Sequence, residues 1–556
     1  MTRTPPARTI AASGREGLPL SIGGAEGAAE PTLAARLAAL FARWDRADAP
    51  GLAVGIRHRG AVIYRAAFGM ASLESPRALT PASRIRIGST SKHMTALLAL
   101  LLAEEGAFSL DVPIRRYLPE LEGVEGEATI RQLLQHRAGG RCYFDLSVIA
   151  HLDADNPPGR ALALAARQQG RNFAAGSAMI YCNSGYHLAA VAIERAAGAS
   201  FEDELARRLF APLGMHDTAS VPSDHLILPG VATLHVPDPA GGGWRRGIFP
   251  NSDVRGEGAV ISTIDDMLVW TAHLLSRDRF GSPDTWAQLF ERARYADGHE
   301  GRYALGLTHG EHRGRALFHH AGGVIGGLSQ MLVFPEEALE IVILANGAPE
   351  ADPVALALAA ADVVLGEGEV GGEAPAPQPE FPAALEGLWQ SETTGMIYSI
   401  AMTEAGPRLG VAGGPPVVPL LPEGTCWRSE APTLSPLMID PAGLAAHGTI
   451  AIRFGGKTAL YRQRLPDARP SALPARVLAA CDAEAEARFE RRDEGDLLHI
   501  SDAIGRNTMA LDWLGERTAL ATSTRPGLPF TAAILIDAEG DGFHLNTART
   551  RWLRFI

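Results

Sequence analysis

At 556 residues, with 46% hydrophobic and 21% charged positions, the chain is too long for one ordinary hydrophobic core and has the composition of a globular protein of two or three domains. A net charge of −12 and a pI near 5.8 argue against a nucleic-acid or anionic-membrane partner. Four cysteines, Cys142, Cys182, Cys426 and Cys481, stand far apart without C-x-x-C spacing, so neither a zinc site nor a disulfide framework is indicated and no metal or cofactor is expected.

Residues 1–30 carry Arg, Pro, Gly and Ala without the uninterrupted apolar run of a signal peptide, and read as a flexible leader. No stretch approaches the roughly 18 to 20 apolar residues that span a bilayer, and the expected compartment is the cytoplasm. Leu33, Leu37, Leu40, Phe41 and Trp44 recur at helical spacing, predicting an amphipathic helix that ends near Asp48. Strand-like runs at 52–57 and 61–68 follow, joined through His58, Arg59 and Gly60 as a hairpin. A second hairpin is predicted far downstream, at 330–334 and 340–344, with helix-forming residues 354–365 behind it. A helix and a hairpin at each end predict one antiparallel sheet assembled from both ends of the segment 31–365, with helices across it. Helices expected at 97–105, 130–136, 161–168, 186–196 and 201–209 make the middle a helical subdomain.

Residues 366–382 are rich in Gly, Pro and Glu and read as a linker. Beyond them, short apolar runs such as 397–402, 450–454, 497–500 and 532–536 alternate with turn residues, and a break near 465–470 divides this part into two β units, 383–470 and 471–556, each suited to a small barrel. The fold class is therefore α+β, with two β domains appended.

The residues that carry chemistry begin at Gly88-Ser89-Thr90-Ser91-Lys92, where small residues open an apolar helix. Ser89 and Lys92 are three apart, so they share a helix face and set an amine beside a hydroxyl. A neutral Lys can take the Ser proton, and the helix N-terminus favours the negative charge that develops in acyl transfer. Of the 51 basic residues only Lys92 and Lys457 are lysine, the other 49 being Arg. Arg cannot deprotonate in a protein, so lysine at 92 fits a need for a titratable amine. Downstream, Tyr181-Cys182-Asn183 offers a phenol and an amide at the start of a helix. His320-Ala321-Gly322-Gly323 precedes the late hairpin, with glycines that permit close backbone approach and a His as a switchable donor.

With S-x-x-K at Ser89–Lys92, Y-x-N at Tyr181–Asn183 and H-x-G at His320–Gly322, residues 31–365 resemble the serine β-lactamase and penicillin-recognising family. Supporting stretches at 133–139, 209–215 and 258–267 match as well. Two β units after this domain make the chain most similar to the D-aminopeptidases of that family, which pair the catalytic domain with two eight-stranded barrels. The resemblance implies a β-lactamase/transpeptidase-like catalytic domain in which Ser89 is acylated, Lys92 is its base and Tyr181 relays a proton to the leaving amine. It further implies that Asn183 orients Lys92 and the substrate amide, that His320 and Gly322 line the third-motif wall, and that the N–H groups of Ser89 and Gly323 form an oxyanion hole.

Many family members carry a lysine where His320 stands. Its loss removes a permanent cation for a substrate carboxylate, which lowers the case for a β-lactamase or DD-peptidase. The expected activity is that of a D-aminopeptidase or D-amino-acid amidase on small peptides or amides, with a carboxylesterase of the same fold or a DD-peptidase/β-lactamase-like enzyme as the alternative and a non-catalytic penicillin-binding-like sensor least favoured. A small-molecule or short-peptide substrate is expected as partner, and a homodimer is left open. In the D-aminopeptidases a loop of the last barrel brings an acid to the substrate ammonium. Here the matching loop is expected at 522–530, which contains no acid and places Arg525 instead, at the border of the cleft. Two further signals are discounted. Lys457-Thr458 lacks the glycine of a K-T-G box and reads as a strand-end surface site, and the adjacent Asp265 and Asp266 read as a helix start.

Overall fold

The structure, a computed structural model, describes residues 32–152, 156–249, 253–347, 351–366, 380–391, 395–414, 416–429, 437–454, 457–464, 469–525 and 530–556. The expected leader and most of the expected linker lie outside the described residues.

The first domain is built on a six-stranded antiparallel sheet whose order runs Thr308–His312, Arg315–Val324, Gly327–Phe334, Leu339–Ala345, Leu52–His58, Ala61–Phe68. The first and last parts of the domain meet at its centre, where Leu52 lies opposite Ala345 and His58 opposite Leu339. Alternation along these strands sorts side chains between two cores. Leu52, Val54, Ile56, Ile341 and Ile343 pack with helices Leu33–Phe41 and Pro353–Leu365 on one face. Ala53, Val342 and Leu344 face helices Ile264–Ser276 and Lys92–Glu104 on the other. Gly55 marks the crossing, since a Cβ there would stand 2.4 Å from Ile264. Helix Lys92–Glu104 is buried at every position from Lys92 to Leu102, so it forms the axis of the helical layer.

The two C-terminal β units each hold eight strands. The first closes, strand Lys457–Arg464 pairing back onto Gly387–Ser391. The second runs in sequential order from Leu478–Ala480 to Leu553–Phe555, and its ends meet through backbone hydrogen bonds of Ala479 and Ile556, 2.9 and 3.1 Å. Asp265 and Asp266 fall in the first turn of helix Ile264–Ser276, behind its cap Thr263, and Lys457 opens an exposed strand end. Among the described residues, no helix is long and apolar enough to cross a membrane.

Helix Tyr143–His151, which the sequence pattern did not predict, docks the second barrel on the first domain. Leu146, Ile149 and Ala150 share one buried cluster with Leu498, Ile500 and Met509 of the barrel. Asn507 donates to the Ile149 carbonyl at 3.1 Å, and Asp502 receives both Arg160 at 2.7 Å and His151 at 3.0 Å. Arg141 is the hub, donating to the carbonyls of Arg551 and Trp552 at 2.9 Å each and to Asp482 at 2.6 Å. Leu146→Ala therefore removes packing from both sides of this joint. The expected loss is about 2–5 kcal/mol, read as a lower urea midpoint with unchanged secondary structure at zero denaturant.

Candidate active site

Ser89 lies on a single 3₁₀ turn, Gly88–Ser91, that feeds directly into helix Lys92–Glu104. Gly88 has φ +51°, and a Cβ there would stand 3.1 Å from both N and O of Gly323. A Cβ on Gly322 would stand 2.0 Å from the Ile87 carbonyl. The glycines thus let strand Arg315–Val324 press its backbone against the serine turn. Side chains fasten the contact: Ser329 Oγ donates to Ile87 O at 2.7 Å, and Thr90 Oγ1 donates to His320 O at 3.1 Å.

Lys92 Nζ is 3.0 Å from Ser89 Oγ, 3.0 Å from Asn183 Oδ1 and 2.7 Å from the Glu257 carbonyl. Two of these neighbours can only accept. A neutral amine has two N–H bonds for them and a lone pair left for the Ser89 hydroxyl, so the surroundings suit the uncharged form. Burial drives the titration the same way, bringing Lys92 down to about 7 against the opposing charge of Glu257. Glu257 is itself held by Tyr143 Oη at 2.6 Å and by Arg255 N at 3.1 Å.

Tyr181 places its ring centroid 4.9 Å from Lys92 Nζ. Its hydroxyl is buried without a hydrogen bond of good geometry among the described residues, although it is close enough to Ser89 to feel that hydroxyl. Burial is the larger effect and holds the phenol well above its ordinary range.

His320 departs from the expected substrate-facing donor. It is buried, Nδ1 meets the Ala321 carbonyl at 2.6 Å, and Nε2 meets Tyr303 Oη at 3.1 Å, so both ring nitrogens are engaged within the protein. Tyr303 Oη also meets His136 Nε2 at 3.1 Å, while the Cys182 N–H donates to His136 Nδ1 at 3.1 Å. These contacts assign the protons. His136 accepts at Nδ1 and donates from Nε2 to Tyr303, which donates to His320 Nε2, and His320 donates from Nδ1 to Ala321. Burial, reinforced by Lys92, holds both imidazoles well below their ordinary range, hence neutral. The His136 ring lies on Tyr181, centroids 4.2 Å apart.

The second barrel approaches this site through Arg549. Arg525 is exposed, and its N–H donates to Ser523 Oγ within its own loop. Residues 526–529 of the expected loop lie outside the described residues. Arg549 instead donates from Nε to Asp145 Oδ1 at 2.9 Å and from its backbone N–H to Asp145 Oδ2 at 3.2 Å. Its charge acts on Lys92, Tyr181 and His136. Cys142 and Cys182, both buried and unbridged, interact with each other beside the site. Burial opposes ionisation of Cys142, but Cys182 and Arg549 together draw it below the usual thiol range. Sequence reasoning missed Arg549, Tyr303 and the role of His136; the one available signal was the Arg-rich stretch 549–551 before the final strand. Among the described residues, no group of three or more His, Cys, Asp or Glu side chains is placed to hold a metal ion.

An antiparallel sheet with a serine turn at its edge, faced by a buried lysine, an asparagine and a tyrosine, defines a β-lactamase-fold serine hydrolase. The profile of the Beta-lactamase family matches residues 37–365, and the chain belongs to that family. The D-aminopeptidase of Brucella canis is 28% identical over 359 residues, and that of Brucella anthropi 28% over 373 residues; each match covers 63% of this chain and 65% of the relative. The chain thus matches just under two thirds of the length of these relatives. Among solved structures, an octameric penicillin-binding protein homologue from Pyrococcus abyssi gives a TM-score of 0.52 at 18% identity, covering 94% of this chain and 98% of that one. The crystal structure of SurE gives 0.52 at 23% identity over 77% of this chain and 98% of that one. At these identities the likeness shows the fold.

Tyr303→Phe leaves the His136 N–H and the His320 Nε2 lone pair buried and unpaired. The expected cost is about 1–3 kcal/mol, measured by thermal unfolding.

Proposed function

We propose that the chain hydrolyses amides through an acyl-enzyme on Ser89, as a D-aminopeptidase or D-amino-acid amidase acting on small peptides or amides. The observation that carries this reading is the separation of two titrations at one serine: Lys92 is lowered to about 7, while Tyr181 is raised. Neighbouring groups driven apart in this way take opposite acid and base roles. Lys92 is the base and Tyr181, a neutral phenol, is the acid.

In this scheme the Ser89 proton passes to the lone pair of Lys92 Nζ as Oγ attacks the carbonyl carbon. Asn183 and the Glu257 carbonyl hold the amine in register. The N–H groups of Ser89 and Gly323 stabilise the oxyanion, a role supported by the close approach of Gly88 to Gly323. Tyr181 gives its proton to the leaving amine and recovers one from Lys92. Water then attacks the acyl-enzyme, with Lys92 again accepting a proton. His320 and His136 act at one remove, fixing the strand and the Tyr181 ring. The D-aminopeptidase relatives support the substrate class, over the matched part of their length.

Ser89→Ala is expected to abolish labelling by a fluorophosphonate probe and all turnover, with the fold retained; a labelled variant overturns the nucleophile. Lys92→Arg is expected to lose about 10²–10⁴-fold in kcat, the usual worth of a general base, because guanidinium cannot accept the proton. The pH profile follows the same group. Below its pKa Lys92 is an ammonium without a lone pair, so kcat/KM for D-alanine p-nitroanilide is expected to rise with pH through a midpoint near 7. A pH-independent rate from pH 5 to 9 counts against Lys92 as base.

A further inference from the structure

Among the described residues near Lys92 and Tyr181, the guanidinium of Arg549 is held in place and still has donors to offer. Arg549 spends its Nε and its backbone N–H on Asp145, whose carboxylate also accepts from Thr547 Oγ1. Nη1 and Nη2 have no partner among the described residues, and the side chain keeps 28% of its surface exposed. The loop that carries it is anchored from both sides. Asn172 donates to the Arg549 carbonyl at 3.0 Å and accepts from Arg551 N at 2.7 Å, while Arg141 holds the carbonyls of Arg551 and Trp552. Arg141 itself is 4% exposed and pairs through all three guanidinium nitrogens, so it is committed to the joint between the domains.

The other cations of the site do not compete for an anion. Lys92 is buried and poised toward the neutral amine, and His136 and His320 are neutral and fully engaged. Asp145 orients Arg549 from the Nε side and is itself nearly covered, at 7% exposure, which leaves the two-pronged Nη edge without a partner among the described residues. Such an edge matches the two oxygens of a carboxylate, and it repels an ammonium placed at the same point.

We propose that Arg549, supplied by the second barrel, binds a carboxylate of the substrate, so that the preferred amides carry an anionic group. This rests on the amide-hydrolase reading and narrows it, because the free cation missing from the third motif is restored from another domain. The carboxylate sits on either the leaving group or the acyl side chain, and two matched pairs separate these. D-alanyl-glycine and D-alanyl-glycinamide differ only in the leaving-side charge; the p-nitroanilides of D-glutamate and D-glutamine differ only in the acyl-side charge.

One of the two pairs is expected to favour its carboxylate member by about ten-fold or more in kcat/KM, mainly through KM, as befits one charge-assisted contact. In Arg549→Gln that ratio is expected to fall to near one, and in Arg549→Lys, which keeps the charge but not the fork, to an intermediate value. Equal rates within both pairs, or a preference untouched by Arg549→Gln, overturn the inference. Calorimetry on Ser89→Ala with D-alanyl-glycine and D-glutamine, D-glutamate or D-alanyl-glycinamide reads binding without turnover. Carboxylate binding that vanishes in Ser89→Ala/Arg549→Gln supports Arg549 even if the wild type cleaves no amide, a result that would overturn the proposed reaction alone. Normal cleavage without any carboxylate preference would overturn Arg549 alone.

Discussion

The constraint on which the rest depends is an amine taken out of water. Lys92 sits in the first turn of a helix whose every neighbouring position is buried, with two obligate acceptors and one hydroxyl around Nζ. An ammonium in such a place loses its hydration, and the lone-pair form is favoured by an amount that Glu257 only partly reverses. Much of the surrounding architecture serves to keep that amine buried and aimed. Gly88, Gly322 and Gly323 close the sheet edge onto the serine turn, and the Glu257 backbone is brought up by Tyr143 and Arg255.

A second layer keeps the site electrically quiet. The run from Cys182 N–H through His136, Tyr303 and His320 to the Ala321 carbonyl uses every imidazole nitrogen, so neither ring needs a charge to satisfy its neighbours. This layer joins four parts of the chain: the 136 turn, the Tyr181 loop, the segment carrying Tyr303 and the Gly-rich strand. Positive charge is left to Arg549, brought by a different domain. The electrostatics of the site are thus a joint property of the sheet domain and the second barrel, and the Arg141 and Asp502 pairings that hold the two together also set where that charge lies.

Legibility in the sequence followed how local each signal was. Both hairpins and the helices at Leu33–Phe41, Asn183–Ala197 and Pro353–Leu365 were readable, because period and turn residues are written within a few positions. Helix Tyr143–His151 was not. It is buried against the first domain on one side and the barrel on the other, and therefore lacks the polar face that marks a surface helix. The loop at 522–530 drew notice for its Pro and Gly, whereas residues 547–552 carry neither and hold their shape through Asn172 and Asp145, hundreds of positions away.

The sequence by itself determined the α+β class, the appended β units and the three short motifs, since helix phase alone sets Ser89 beside Lys92. Tertiary structure decided the rest. Only packing could show that both nitrogens of His320 are engaged inside the protein, that Tyr303 bridges two histidines, and that the second barrel brings the charge of Arg549 to bear on Lys92 and Tyr181. Each of these is a matter of which groups lose water and which distant partner replaces it, and neither spacing nor composition encodes that.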